Sequence, residues 1–124
     1  MKDKKNDLED RLVQFAADVS LFSRDLSTDV IGQYYGNQLL RSGGSAALNF
    51  GEAQATNSDS DYVHSALISL KKLKVSRVNL RILHKLAHGN KIKRLNLLDE
   101  VEQLTEIITT IIKNKNRTQT DEVR

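Results

Sequence analysis

The sequence contains no cysteine, proline or tryptophan, and only six of its 124 residues are aromatic. Without cysteine there is no disulfide and no thiol nucleophile, and the scarcity of aromatic residues and proline argues against a β-sandwich of many short strands. No apolar run reaches the roughly 18 residues of a membrane-spanning helix. The first 12 residues mix both charges and lack a secretory-signal pattern, so we expect a cytoplasmic protein. Leu and Lys are the most abundant residues and both favour helices, so we expect a single all-α domain.

Positive charge is concentrated in one segment, although the formal net charge of the chain is only +3. Residues 1–70 hold six Lys or Arg against ten Asp or Glu, and residues 95–124 hold four against six. Residues 71–94 hold nine Lys or Arg and no Asp or Glu. If these cations share a surface, they attract phosphate far more strongly than the net charge of the whole chain indicates.

Apolar periodicity predicts a first helix that ends before residues 23–29, where Ser, Thr and Asp side chains offer caps for the helix that follows. Its apolar face, at spacings of three and four residues, consists of Leu8, Leu12, Phe15, Val19 and Phe22. A second helix is expected from about Asp29 to Ala55. This segment contains five glycines, which lower its helix propensity, so tertiary packing must hold the second helix.

The break at residues 55–61 separates the second helix from two more. Ser58 and Asp61 form a capping-box pattern for a third helix that continues to about His88, where Gly89 and Asn90 provide a stop. A fourth helix is expected from near residue 96. Its broad apolar stripe consists of Leu97, Leu98, Val101, Leu104, Ile107, Ile108, Ile111 and Ile112. That width indicates either burial against another subunit or a wider intramolecular core.

Four helices with short connections predict an all-α, antiparallel up-and-down four-helix bundle over residues 1–116. Residues 117–124 are polar and unpatterned, and we expect them to form a disordered tail.

The third helix carries the positive charge on one face. At 100° per residue, the side chains within an arc of about 80° are those of Lys74, Arg77, Arg81, Lys85 and His88. The loop expected after this helix adds Lys91, Lys93 and Arg94. We predict that the seven Lys and Arg residues bind the phosphates of a nucleic acid in a salt-dependent manner. The alternative is a solvated face, or one paired with acids of the first and fourth helices.

Patterns for catalysis, metal binding and nucleotide binding are weak. His84 and His88 are one helical turn apart, but the nearest carboxylates lie outside the interval from Tyr62 to Leu98, so a zinc site lacks further ligands. The RSGGS segment has neither the GK[ST] of a phosphate loop nor the G-x-S-x-G of a hydrolase. We therefore predict a protein that is not an enzyme and has no cofactor or metal.

Two residue patterns lie between residues 39 and 86. The first, of the form LRRAAxSIxxNIAEG, is matched by Leu40, Arg41, Ser45, Asn49 and Glu52, and the second, along the third helix, is matched by Tyr62, Leu67, Leu70 and Leu80. In these residues the segment resembles the bacterial four-helix-bundle family encoded in intervening sequences of large-subunit ribosomal RNA genes. The chain departs from the family at Gly43 and Gly44, where an alanine-like pair is usual, and at Lys72 and Val75, where acids often occur.

The resemblance implies a left-handed bundle that assembles into a closed ring, commonly a pentamer. The family is also similar to the accessory variability protein of diversity-generating retroelements, a basic pentameric ring that partners a reverse transcriptase and its RNA. Together with the charge pattern, this predicts a homo-oligomer that binds RNA or DNA, with RNA favoured. The alternative is an oligomeric scaffold for a protein partner such as a polymerase.

Overall fold

The computed structural model describes the backbone of residues 4–123 and the side chains of residues 7–117. Four helices follow one another along the chain: α1 (Lys4–Arg24), α2 (Val30–Gln54), α3 (Asp59–Lys85) and α4 (Lys91–Val123). Each helix packs against the next, and α1 also packs against α4, so α1 lies diagonally opposite α3. No strand occurs within residues 4–123. The predicted all-α four-helix bundle is confirmed.

The core is built from the apolar faces that the sequence indicates. The five predicted α1 residues are all buried, as are most of the α4 stripe residues. Three further residues of this stripe, Leu98, Ile107 and Ile111, are partly buried against the same core. The apolar width of α4 therefore serves a wide intramolecular core.

Predicted capping residues fix the starts of α2 and α3. The Asp29 side chain accepts a hydrogen bond from the Gly32 N–H at 2.8 Å, and the Ser58 hydroxyl accepts one from the Asp61 N–H at 3.2 Å. Each bond satisfies one of the backbone donors that a helix start leaves without an intrahelical partner. The boundaries of α2 match the prediction closely for this reason.

Buried serines and one glycine hold α2 against its neighbours. The hydroxyls of Ser42 and Ser76 lie 2.7 Å apart, and Ser69 Oγ donates to the Ala46 carbonyl at 2.7 Å, which joins α2 to α3. On the α1 side, a Cβ placed on Gly43 would lie 2.5 Å from Val19 Cγ2. Tertiary contacts thus compensate for the low helix propensity of α2.

The junction between α3 and α4 differs from the prediction. The third helix ends at Lys85, three residues early, and α4 begins at Lys91 rather than near residue 96. Asn90 is the reason for the early start, because its Oδ1 accepts a hydrogen bond from the Lys93 N–H at 2.9 Å. The first turn of α4 is mostly exposed and polar, so apolar periodicity does not indicate it.

The far end of α4 passes the predicted domain limit without a break. Its backbone remains helical beyond residue 116 as far as Val123, where we expected a disordered tail. The side chains of residues 118–124 lie outside the described residues. The division at residue 116 stays a prediction.

Candidate nucleic-acid interface

Three of the predicted cations form an exposed row along α3, which we call the basic ridge: Lys74, Arg81 and Lys85. Their spacings of seven and four residues place them on one side of the helix, over about 16 Å at 1.5 Å per residue. Neither α3 after Asp61 nor the first turns of α4 contain a carboxylate, since Asp99 is the next one along the chain. The ridge is therefore a local concentration of positive charge on a rigid element.

Arg77 lies at the edge of this surface and faces α4. Its Nη1 is 3.6 Å from Glu102 Oε1, and its side chain is about 30% exposed. A half-exposed ion pair of this kind is weak, but it neutralises part of the charge that Arg77 would offer to a phosphate. The sequence alternative of pairing with acids of the fourth helix is thus realised at Arg77.

Lys91 and Lys93 lie in the first turn of α4, rather than in a loop, and both are exposed. Lys93 lines a cleft with Asp18 of α1 and Glu100 of α4, so it faces the acidic side of the bundle. Lys91 lies two residues away along the helix, where the chain has just left α3. Lys91 is thus an exposed cation that directly follows the turn after α3, whereas Lys93 faces α1.

Arg94 does not belong to the exposed surface, contrary to the sequence interpretation. Its side chain is buried, with 3% of the residue exposed. Its Nη1 donates hydrogen bonds to the carbonyls of His88 (2.8 Å) and Gly89 (2.9 Å), and its Nε donates to His84 Nδ1 (3.0 Å). Arg94 is a structural residue that binds the turn between α3 and α4.

His84 and His88, the two histidines one helical turn apart in the sequence, also make contacts at this turn. His84 accepts the hydrogen bond from Arg94, while His88 Nε2 lies 3.5 Å from Asp29 Oδ1 at the start of α2. His88 therefore leaves the face of α3 on which the sequence placed it. Among the described residues, no group of three or more His, Asp or Glu side chains could hold a metal ion.

The turn itself is a Schellman motif, the hydrogen-bonded arrangement that commonly ends helices. The N–H of His88 donates to the Leu83 carbonyl at 2.9 Å, and the N–H of Ala87 donates to the His84 carbonyl at 3.1 Å. Ala87 has φ of 52° and Gly89 has φ of 81°. A Cβ on Gly89 would also lie 2.6 Å from Phe22 Cζ, so glycine is needed there for both reasons.

An apolar groove of about 770 Å³ lies beside the basic ridge, between α2 and α3. We call it the α2–α3 groove. Its lining consists of Tyr34, Tyr35, Gln38, Leu67, Leu70, Lys71, Lys74, Val75, Val78, Asn79 and Ile82. Asn79 Nδ2 donates to the Tyr35 carbonyl at 3.0 Å and so fixes the two walls together. Sequence reasoning missed this groove, because it arises only when α2 and α3 pack side by side.

A known structure with the same architecture is that of a protein of unknown function from the S23 ribosomal protein family of Bacteroides thetaiotaomicron. The two chains share 23% sequence identity and a TM-score of 0.78, over 90% of this chain and 99% of the other. This similarity supports the four-helix fold. No family model matches the sequence, and no curated protein matches it. Within the described residues, no helix combines the length and apolar character needed to cross a membrane.

Proposed function

We propose that this protein is a non-enzymatic, cytoplasmic homo-oligomer that binds nucleic acid, with RNA favoured over DNA. The observation that carries the proposal is the basic ridge, three exposed cations in line on a helix face without carboxylates. Lys and Arg side chains that contact phosphates release condensed counterions, which gives affinity without base recognition. No aromatic side chain lies on the basic ridge to stack on bases, so backbone contact and shape would carry recognition.

The binding set that we propose is smaller than the one the sequence predicts. Its centre is Lys74, Arg81 and Lys85, and it includes Lys91 as a further exposed cation. Arg77 contributes less because of its contact with Glu102, and Arg94 is removed because it is buried.

Oligomerisation is the second part of the proposal. The resemblance of residues 39–86 to the intervening-sequence family supports a ring, and a pentamer is the form that this family suggests. Several copies that contact one nucleic acid raise its affinity through effective concentration, provided that the geometry allows simultaneous contact. Three or four cations per copy suffice under that condition.

The proposal is tested by titrating a fluorescent structured RNA and a matched DNA duplex at a series of salt concentrations. We expect log Kd to rise linearly with log salt. Neutralising two ridge residues, Arg81→Gln with Lys85→Gln, should weaken binding and lower the slope by about two for each copy in contact. The matched control, Lys113→Gln, removes an exposed cation from α4 and should leave the slope unchanged.

A second candidate function is a scaffold for an acidic protein partner such as a polymerase. The same basic ridge favours it, because carboxylates are attracted to these cations as phosphates are. An absence of RNA and DNA binding at low salt would contradict the nucleic-acid proposal and make the scaffold the leading function.

A further inference from the structure

The outer face of α1 is an exposed apolar line. Val13 is 57% exposed and Leu21 is 48% exposed, and the exposed Ala17 lies between them at spacings of four residues. We call these three residues the α1 stripe. Successive residues four apart lie on one side of a helix, so the α1 stripe is continuous over about 12 Å. A continuous exposed apolar line is a feature of interaction surfaces.

Acidic side chains accompany the α1 stripe. Asp10 and Asp18 lie one on each side of Val13 along the helix, and both are exposed. From Asp7 to Leu21 the sequence has four acids and one cation, Arg11, which donates hydrogen bonds to Glu100 at 2.7 and 3.1 Å. Asp18 accepts a hydrogen bond from Gln14 Nε2 at 2.9 Å and lines a cleft with Lys93, and Arg24, three residues after Leu21, pairs with the adjacent Asp25. The net charge around the α1 stripe is therefore negative.

The α2–α3 groove has the opposite character. Its floor is apolar, with Val75 and Val78 each more than 40% exposed, and Lys71 and Lys74 lie at its rim. The walls contain no carboxylate, since α2 has none from Val30 to Gly51 and α3 has none after Asp61. From Leu67 to Ile82 the groove follows α3 for about 22 Å, which is longer than the α1 stripe.

We propose that the α1 stripe of a second copy of this chain occupies the α2–α3 groove, with Asp10 and Asp18 towards Lys71 and Lys74. The proposal rests on the homo-oligomer of the proposed function and assigns its interface. Apolar contact supplies the affinity of such an interface, and the opposite charges fix its orientation and register.

The bundle topology determines what assembly this contact makes. Within one copy, α1 packs on α2 and α4 and is diagonal to α3, so a chain cannot fill its own groove. Two different surfaces then meet at each contact, which makes the interface heterologous. A heterologous interface produces a closed ring, or a filament where the rotation does not close.

The outer face of α4 is a poorer occupant. From Asp99 to Glu106 its exposed residues are Asp99, Glu102, Gln103 and Glu106, which complement the charge of the groove but offer no apolar side chain to bury. The exposed apolar side chains of α4, Ile92 and Leu95, lie in its first two turns beside Lys91 and Lys93, whose charge has the same sign as that of the groove rim. The α1 stripe supplies both features.

Two substitutions test the contact by inactivating one surface each. Val75→Asp places a carboxylate on the groove floor, and Leu21→Asp places one in the α1 stripe. Both positions are more than 40% exposed in the single chain, so each variant should fold, as circular dichroism would verify. By light scattering and sedimentation, each variant alone should have the 14.0 kDa mass of one chain. Ile92→Asp, at an exposed apolar site outside both surfaces, should keep the wild-type mass.

Mixing the two variants is the decisive experiment. Val75→Asp retains an intact α1 stripe and Leu21→Asp retains an intact groove, so the mixture should form a dimer of twice 14.0 kDa and nothing larger. If the mixture remains monomeric, these two faces do not bind each other and the inference is wrong. If wild type is oligomeric and Val75→Asp keeps its mass, the interface lies elsewhere and only the oligomer of the proposed function survives.

A monomeric wild-type protein at micromolar concentration would overturn both the oligomer and this interface. The salt titration of RNA binding is read separately, so it would still decide the nucleic-acid part of the proposed function. Binding of a designed, Glu-flanked amphipathic 18-residue helix to monomeric wild type, lost in Val75→Asp, would assign the groove to a different protein and overturn self-docking.

Discussion

At the scale of single residues, positive charge alone does not reveal a role. Arg81 and Arg94 lie in the same basic segment, yet Arg81 is exposed on the basic ridge and Arg94 is buried beneath the turn after α3. Arg94 donates to two backbone carbonyls that have no partner within a helix, because they follow the end of α3. Its buried guanidinium thus supplies the hydrogen-bond donors that these two carbonyls lack.

Arg94→Ala should therefore destabilise the fold by about 2–3 kcal/mol, since it removes charge-assisted hydrogen bonds and leaves buried carbonyl groups without donors. Urea unfolding measures the loss. Lys91→Ala, at an exposed cation in the same turn of α4, should change stability by less than about 0.5 kcal/mol. If Arg94→Ala had wild-type stability and reduced RNA affinity, the original sequence interpretation of Arg94 would be correct.

Asp29 makes the stability of the bundle depend on pH. The Gly32 N–H, then Ser27 and His88, lower the pKa of the Asp29 carboxyl below its ordinary value. A carboxyl with a lowered pKa in the folded state stabilises the fold above its unfolded pKa of about 3.9, and this contribution is lost as the pH falls through the lower folded value.

Asp29→Asn keeps a capping oxygen but removes the charge. Wild type should be more stable than Asp29→Asn at pH 6, and the difference should shrink below about pH 4. Thermal unfolding of both proteins from pH 3 to pH 6 measures this. A difference that stays constant over the whole range would mean that the Asp29 charge contributes nothing to folding.

At the scale of helices, local signals predict where elements begin but not how closely they pack. Asp29 and Ser58 act as the helix caps that the sequence indicates. Asn90, which the sequence pattern indicates as part of the end of the third helix, instead caps the start of α4. Two adjacent glycines in α2 show that the sequence does not indicate how closely two helices approach. A Cβ on Gly43 would meet Val19 at 2.5 Å, and one on Gly44 would have no atom within 4 Å outside its own helix.

Opposite effects are therefore expected at these adjacent positions. Gly44→Ala should stabilise the protein by about 0.5–1 kcal/mol, because it raises helix propensity without a clash. Gly43→Ala should destabilise it by about 1–3 kcal/mol, because the buried Val19 cannot move without disturbing the core. Chemical denaturation of both variants provides the comparison, and each serves as the control for the other. Equal effects would contradict the close approach of α1 and α2 at Gly43.

At the scale of the whole molecule, the proposed assembly multiplies a small binding surface. Where the α1 stripe of a neighbouring copy pairs with Lys74, each copy still offers Arg81, Lys85 and Lys91, which is few for strong binding by phosphate contact alone. In a ring, the same cations recur in each copy, and one RNA that reaches several copies gains effective concentration.

Leu21→Asp separates assembly from the basic ridge, since Leu21 lies on α1, diagonally opposite α3, and the new carboxylate does not lie beside the ridge cations. We expect the monomeric variant to bind a long structured RNA at least tenfold more weakly than wild type. Its salt dependence should also be shallower, because fewer cations contact each RNA. Fluorescence titration at matched subunit concentration measures both quantities. Unchanged affinity in a verified monomer would show that assembly does not contribute to RNA binding.

Local sequence patterns predict the number of helices, the core faces and the caps of α2 and α3. These features depend on residues three and four positions apart, and such neighbours lie on one helix face wherever the helix packs. The helix class and the concentration of cations in residues 71–94 are likewise properties of the chain alone.

Which of those cations remain available to a ligand depends on how the helices pack. Arg77 is drawn to Glu102 because α4 lies against that side of α3, and Arg94 is buried because the chain turns over it. The α2–α3 groove likewise exists only between two packed helices. Exposure depends on which element covers a given face, and this depends on contacts between residues far apart in the chain, which local periodicity does not contain.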